Sequence, residues 1–367
     1  MRCNPSSLYI HIPFCKNICT YCDFKKMFYD QKLVDKYFKS LFLQFNELPS
    51  RKYKSIYIGG GTPSSINKDN LEKLLNICSK SLNDKFYEFS IEFNVEDINE
   101  DFLSLISKYK VNRLSIGVQT FNDKLIKFCN RHHTKKMAID NIVLASKYIK
   151  NISVDMIYAF PNQTYTVLKQ DLKILMSLPI RHLSYYSLLI EPNTILWLKK
   201  YDNVDGDIQA KMYKIIYSYL KKFGFNRYEI SSFAKNKKYQ SYHNKVYWQN
   251  KHYSAIGLNA SGYENNVRYT YTCNFSKYIT NDFAYSSYVT LSKDDMMFDE
   301  IMLNLRMDCG LNIDKFNRKY NVDFMRKYSE AIKATKENNL IVVKNGNIKT
   351  TYKGSLLLNS VLQYFLD

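Results

Sequence analysis

The chain has 367 residues, with 53 Lys+Arg against 34 Asp+Glu and a formal charge of +19. Its length suits about two domains, and 46% hydrophobic residues with only 11 Gly and 7 Pro exclude a disordered or collagen-like chain. No apolar run reaches the roughly 20 residues that span a bilayer. The first strand-like run starts so early that it leaves no room for a cleaved leader, which points to a cytoplasmic protein. The Lys residues are spread along the whole chain beside heavy use of Asn, Ile and Tyr. The charge therefore reads as compositional drift, and nucleic acid is not expected as a partner.

The first two-thirds alternate strand and helix patterns. Strands are expected at Leu8–Ile12, Ser55–Ile58, Glu88–Phe93, Arg113–Val118, Ser153–Ile157 and Leu183–Leu188. Amphipathic helices are expected between them at Gln31–Leu48, Lys68–Lys80, Asp101–Tyr109, Met137–Ile149 and Tyr165–Leu178. Such alternation means parallel pairing with crossover helices. Six units are too few for a closed eight-fold barrel. The expected fold is α/β, a partial (βα)6 TIM-type barrel, with ligands at the C-terminal ends of the strands. A further helix, Asp207–Phe223, stops at Gly224 as its C′ residue, with Tyr213, Ile216, Tyr217 and Leu220 at core spacing. A short strand at Arg227–Ile230 follows, and the polar, aromatic and basic stretch Ala234–Tyr253 reads as a connection that carries function. Beyond Asp294, helices are expected at Glu300–Met307, Asn312–Tyr320 and Asp323–Asn338, then strands at Leu340–Lys344 and Asn347–Thr350 around Asn345-Gly346, a hairpin signal. The expected organisation is a core over 1–233, a connecting segment over 234–293 and a small winged-helix-like α+β domain over 294–367.

Three of the eight cysteines, Cys15, Cys19 and Cys22, form C-x3-C-x2-C directly after the first strand, and the others are scattered. This is not a secreted disulfide framework. Three thiolates suit a 4Fe–4S cluster with one iron left open to an amine and a carboxylate. Structural zinc, which prefers four ligands, is the alternative, with Cys3 or His11 as the fourth. Gly59-Gly60-Gly61-Thr62-Pro63 follows the second strand. Such glycines let the backbone approach a ligand closely, and no G-x-G-x-x-G supports a dinucleotide. Glu92, Gln119, Arg131 and Asp155 recur at or near successive strand ends. Singly, such residues are caps or salt-bridge partners; together on one rim they point to a polar ligand with hydroxyl and carboxylate groups. His243-Asn244-Lys245-Val246-Tyr247-Trp248 reads, on pattern alone, as a capped loop with an aromatic anchor, and its alternative is a haem ligand.

Several of these stretches together resemble a known family. Tyr9-Ile10-His11-Ile12-Pro13-Phe14-Cys15 running into Cys19-Thr20-Tyr21-Cys22-Asp23-Phe24 is similar to the opening of radical S-adenosylmethionine (SAM) proteins related to oxygen-independent coproporphyrinogen III oxidase. The likeness continues through Ile56–Ser64, Arg113–Phe121, Asn130–Thr134, Asp155–Pro161 and Tyr228–Ala234, and into Leu305-Arg306 and Gly310-Leu311. The decarboxylases of that family carry a further Cys where this chain has Phe24, and a longer arm before the first strand. Cys-Asp-Phe and H-N-x-x-Y-W, here His243, Asn244, Tyr247 and Trp248, resemble the HemW haem-chaperone branch instead. The resemblance implies a protein that binds haem and delivers it to acceptor proteins. It implies Cys15, Cys19 and Cys22 as ligands of a 4Fe–4S cluster, with Tyr9, Tyr21, Gly60, Gly61, Thr62, Glu92, Gln119, Arg131 and Asp155 around SAM, and it moves His243 towards haem. A homodimer is a further expectation, and no catalytic residue is assigned. Two other functions remain: oxidative decarboxylation of a tetrapyrrole, and an RNA-modifying or nucleic-acid-binding role. Val95, Ala159 and the Gly257–Gly262 loop depart from the family pattern.

Overall fold

A computed structural model describes residues 5–366. Six strands follow one another in parallel: β1 (Ser7–Ile12), β2 (Ser55–Gly60), β3 (Glu88–Asn94), β4 (Arg113–Gln119), β5 (Asn151–Tyr158) and β6 (His182–Ser187). Each expected strand is present, its ends moved by a residue or two. Their apolar side chains, such as Leu8, Ile10 and Ile12 on β1 and Ile152, Val154 and Met156 on β5, are fully buried. A parallel sheet covered by crossover helices requires this.

The crossover helices Gln31–Glu47, Lys68–Lys80, Glu100–Lys108, Lys135–Tyr148 and Tyr165–Ser177 lie close to their expected spans. Each starts on a side-chain cap, Asp30, Asn67, Asn99, Thr134 and Thr164 respectively, that accepts the N–H three residues on. These caps set the starts more sharply than hydrophobic spacing can. Gly224 has φ +78, as its C′ position after Gly206–Lys222 requires.

Two flanking pieces extend the sheet. β7 (Asn226–Arg227) and β8 (Ser232–Ala234) replace the single strand expected at Arg227–Ile230. The Glu229 carboxylate accepts the Ser231 N–H and closes a turn between them, and β8 pairs antiparallel with β6. On the other flank β9 (Ser254–Ile256) pairs parallel with β1. The segment 234–293 is therefore more than a connection: it adds a strand to the main sheet, and the 233/234 division falls inside β8. The sheet order is β9-β1-β2-β3-β4-β5-β6-β8-β7, with unpaired ends, so the barrel is open. A second sheet follows, β10 (Ser261–Glu264), β11 (Val267–Tyr271) and β12 (Tyr285–Thr290).

The C-terminal domain has its own core around Phe316, Phe324, Ile332 and Val361. Its first helix begins earlier than expected, at Lys293, because Ser292 and Asp295 form a capping box. The single helix expected at Asp323–Asn338 is two, Phe324–Lys327 and Ser329–Glu337, broken where the Tyr328 ring packs against Phe324 and Phe365. The hairpin forms as expected: β14 (Ile341–Lys344) and β15 (Asn347–Thr350) flank Asn345 and Gly346, both at positive φ, and β13 (Leu311–Asn312) pairs with β15. Among the described residues no helix is long and apolar enough to cross a membrane.

Candidate functional site

A strand sends alternate side chains to opposite faces, and the inward set of the barrel encloses a cavity of about 460 Å³. Glu92 and Asn94 on β3, Arg113, Ser115, Gly117 and Gln119 on β4, Ser153, Asp155 and Ile157 on β5, and Ser184 and Tyr186 on β6 line it at a spacing of two. At its mouth, the loop after β1 brings Cys15, Cys19 and Cys22 to the same cavity.

That loop is tied down around the cysteines. Phe14–Cys15 pairs with Met27–Phe28, and the Thr20 hydroxyl donates to the Phe128 carbonyl at 2.9 Å. The Thr62 hydroxyl donates to Cys15 Sγ at 3.3 Å and Arg131 Nη1 to Cys19 Sγ at 3.5 Å. Burial pushes the Cys15 thiol up to about 11 against the pull of the Thr62 hydroxyl, and burial also raises Cys22. Metal ligation requires loss of these protons.

The donor set fits an iron–sulfur cluster: three thiols face one space, while the remaining described cysteines do not line it. Among the described residues no three His, Cys, Asp or Glu side chains converge tightly enough to hold a single metal ion. His11, the proposed fourth zinc ligand, has both ring nitrogens engaged, Nδ1 with the Tyr9 hydroxyl at 2.9 Å and Nε2 with the Lys25 carbonyl at 3.1 Å. Cys3 lies outside the described residues.

The walls beside the cysteines suit a zwitterion with a sugar. Arg131 is buried, and its Nη2 donates to Asn94 Oδ1 at 2.8 Å and to the Gly117 carbonyl at 2.7 Å. A carboxylate already lies beside it, with Glu96 Oε2 4.0 Å from Nη2. Glu92 accepts from the Tyr57 hydroxyl at 2.6 Å and the Gly60 N–H at 3.1 Å. Burial lifts its carboxyl to about 7; the Tyr57 hydroxyl opposes that rise, Asp155 adds to it and the Gly60 N–H opposes it. Asp155 accepts from the Ser115 hydroxyl at 2.7 Å and is also raised by burial, against that hydroxyl. Tyr21, Gly60, Gly61, Thr62 and Gln119 line the cavity too. The glycine loop has a packing reason besides ligand approach. Gly60 has φ +116, and a Cβ there would lie 2.6 Å from the His11 ring; at Gly61 it would lie 2.8 Å from the Pro13 carbonyl carbon. Ala159, one of the departures from the family pattern, sits at φ +61, a conformation that strains a residue with a Cβ.

Two expected site residues are elsewhere. Tyr9 does not line the cavity; its hydroxyl is held by His11, and its ring lies 6.3 Å from that of Tyr57. His243 lies on a short helix, Tyr242–Trp248, rather than on a loop. It is 1% exposed. Its Nδ1 bonds Ser55 Oγ at 2.9 Å and its Nε2 bonds the Tyr247 hydroxyl at 2.6 Å. Burial lowers its pKa to about 3, so the ring is neutral and both nitrogens are occupied. Ser55 opens β2, which sets His243 at the opposite end of the barrel from the cysteines, roughly 15–20 Å away along a strand of that length.

Residues that the sequence reading passed over include Asn94, which joins Arg131 to Thr62, and Tyr57 and Ser115, which hold Glu92 and Asp155. The signal was available: each lies two residues from another inward-facing position on its strand.

The Radical SAM superfamily model matches residues 9–175, and the HemN C-terminal domain model matches residues 291–357. A Lactococcus lactis protein named heme chaperone HemW is 35% identical over 99% of this chain and 97% of its own. A Bacillus subtilis protein of the same name is 33% identical over 98% of this chain and 99% of its own. The chain belongs to the HemW family. The solved structure of Escherichia coli coproporphyrinogen III oxidase (HemN), described as a radical SAM enzyme, superposes with a TM-score of 0.84 over 98% of this chain and 90% of that one, at 20% identity. That likeness speaks to the fold: this chain shares its overall architecture with HemN.

Proposed function

We propose that this chain is a haem chaperone that holds a 4Fe–4S cluster and SAM and passes haem to acceptor proteins. The observation that carries the reading is the pairing of three cavity cysteines with Phe24, in a chain alike from end to end to relatives named heme chaperone HemW. Cys15, Cys19 and Cys22 would hold the cluster, which supplies an open iron for an amino-acid ligand and a means of one-electron transfer. Arg131, whose side chain lines the cavity, would pair with the SAM carboxylate. Glu92 and Asp155 would hold ribose hydroxyls, with Tyr57 and Ser115 fixing their carboxyl groups. Tyr21 would cover the pocket beside Cys22 and limit access of water.

The test is anaerobic. Protein reconstituted with iron and sulfide should carry one cluster, bind haemin in a saturable way, and load an apo-haem protein. Zinc in place of iron and sulfide, or no saturable haemin binding, would sink the reading. Conversion of coproporphyrinogen to protoporphyrinogen with SAM would favour tetrapyrrole decarboxylation, against which Phe24 argues.

A further inference from the structure

Resting on the chaperone reading, we infer that haem docks outside the barrel, on the rim of the cavity mouth, where Phe24 and Leu189 offer the apolar platform and Lys26 faces a propionate.

Three observations lead there. The cavity, at about 460 Å³, lies low in the range of about 300–1,000 Å³ that one small-molecule ligand fills. Its inner wall carries Glu92, Arg131 and Asp155, a poor match for a flat apolar macrocycle. At the barrel floor Ser241 and Asn244 line the bottom of the same cavity, but His243 offers haem no ligand, because it is buried with both nitrogens bonded.

The rim is different. Phe24 is 66% exposed and Leu189 is 54% exposed, yet both line the same cavity as the cysteines. They come from separate loops, one after β1 and one after β6, so they frame the mouth from two sides. Exposed large apolar side chains gathered at an opening mark a binding surface. Lys26 also lines the mouth, its ammonium held by the Cys22 and Phe24 carbonyls and, among the described residues, by no carboxylate. Asp23 and Glu191 share the rim, so the propionates are expected to turn towards Lys26. A cargo that must be handed on is better held on an open rim than in a closed pocket, since release then needs no unfolding.

The experiment titrates haemin into anaerobically reconstituted full-length protein and follows the Soret band. Leu189→Ser and Phe24→Ser together should weaken haemin affinity about tenfold or more, as loss of two apolar contacts implies, with iron and sulfide content unchanged. Phe24→Leu should keep near-normal affinity. Leu189→Ser alone leaves the cysteine loop untouched and should still weaken haemin several-fold. Unchanged affinity in the double variant would overturn the proposal, as would a double variant that keeps haemin while His243→Ala loses it. Wild-type protein that binds no haemin would instead remove the chaperone reading itself.

Discussion

The two ends of the barrel carry the chain's two most distinctive motifs, and they are built in opposite ways. At the mouth, the cysteines, Arg131 and Glu92 face a shared cavity. At the floor, the first residues of the strands lock one segment. Ser7 and Ser55 bond each other, and Ser55 bonds His243. Glu88 accepts from the N–H groups of Tyr242 and His243 at 2.8 and 2.9 Å. Arg113 donates to the Tyr239 carbonyl at 3.1 Å, and His182 bonds the Tyr228 hydroxyl at 2.8 Å. Arg306 of the C-terminal domain lies 5.4 Å from the Trp248 ring. The mouth is arranged to receive something; the floor is held fast, with Ser241 and Asn244 of that segment lining the bottom of the same cavity. A polar, aromatic motif thus serves at one end as a bolt, where at the other similar residue types make a site.

The largest expected effect is at the mouth. Cys15→Ser should reduce bound iron after anaerobic reconstitution from about four per chain to near zero, with the fold retained by circular dichroism. Full iron content in that variant would break the contrast at once. At the floor, His243→Ala should cost about 3 kcal/mol, through a buried void and the Tyr247 hydroxyl left without its partner, read from the denaturation midpoint, while iron content stays intact. A stable variant with lost cofactor would reverse the assignment of the two ends.

A third test uses pH. Glu92 is raised from an ordinary 4.5 to about 7 in the folded chain, so the folded state holds its proton between those values. The stabilisation is fully present below about pH 4.5 and is lost as pH rises through about 7, up to about 3 kcal/mol in all. Glu92→Gln should therefore flatten the decline in melting temperature of the cofactor-free protein between about pH 5 and 8. An unaltered slope would show that the mouth is better solvated than its geometry implies. The smallest effect lies outside both ends. Gly346→Ala, at φ +69 in the C-terminal hairpin, where an added Cβ would lie 3.9 Å from Asp314 Oδ2, should destabilise that domain by about 1 kcal/mol and leave the barrel's cofactor content untouched.

Much of this molecule can be read along one dimension. The βα alternation, the Asn-Gly hairpin and C-x3-C-x2-C are local patterns, and they emerge in the fold close to where their spacing predicts. The helix at Tyr242–Trp248 is harder to read, because its seven residues are short for hydrophobic periodicity and its cap, Ser241, is part of the floor network. The break at Tyr228–Ser231 depends on a carboxylate, Glu229, turning back on its own backbone.

By itself the sequence determined the order of strands and helices, the cysteine spacing and the family, since each depends on neighbours a few residues apart. Only the tertiary structure decided that Arg131 reaches Cys19, that Asn94 links Arg131 to Thr62, and that His243 answers to Ser55 instead of facing the cavity. Those partners are separated by tens to hundreds of residues. Which end of the barrel a side chain serves is fixed by where its segment lands on the folded sheet, and no spacing along the chain records that.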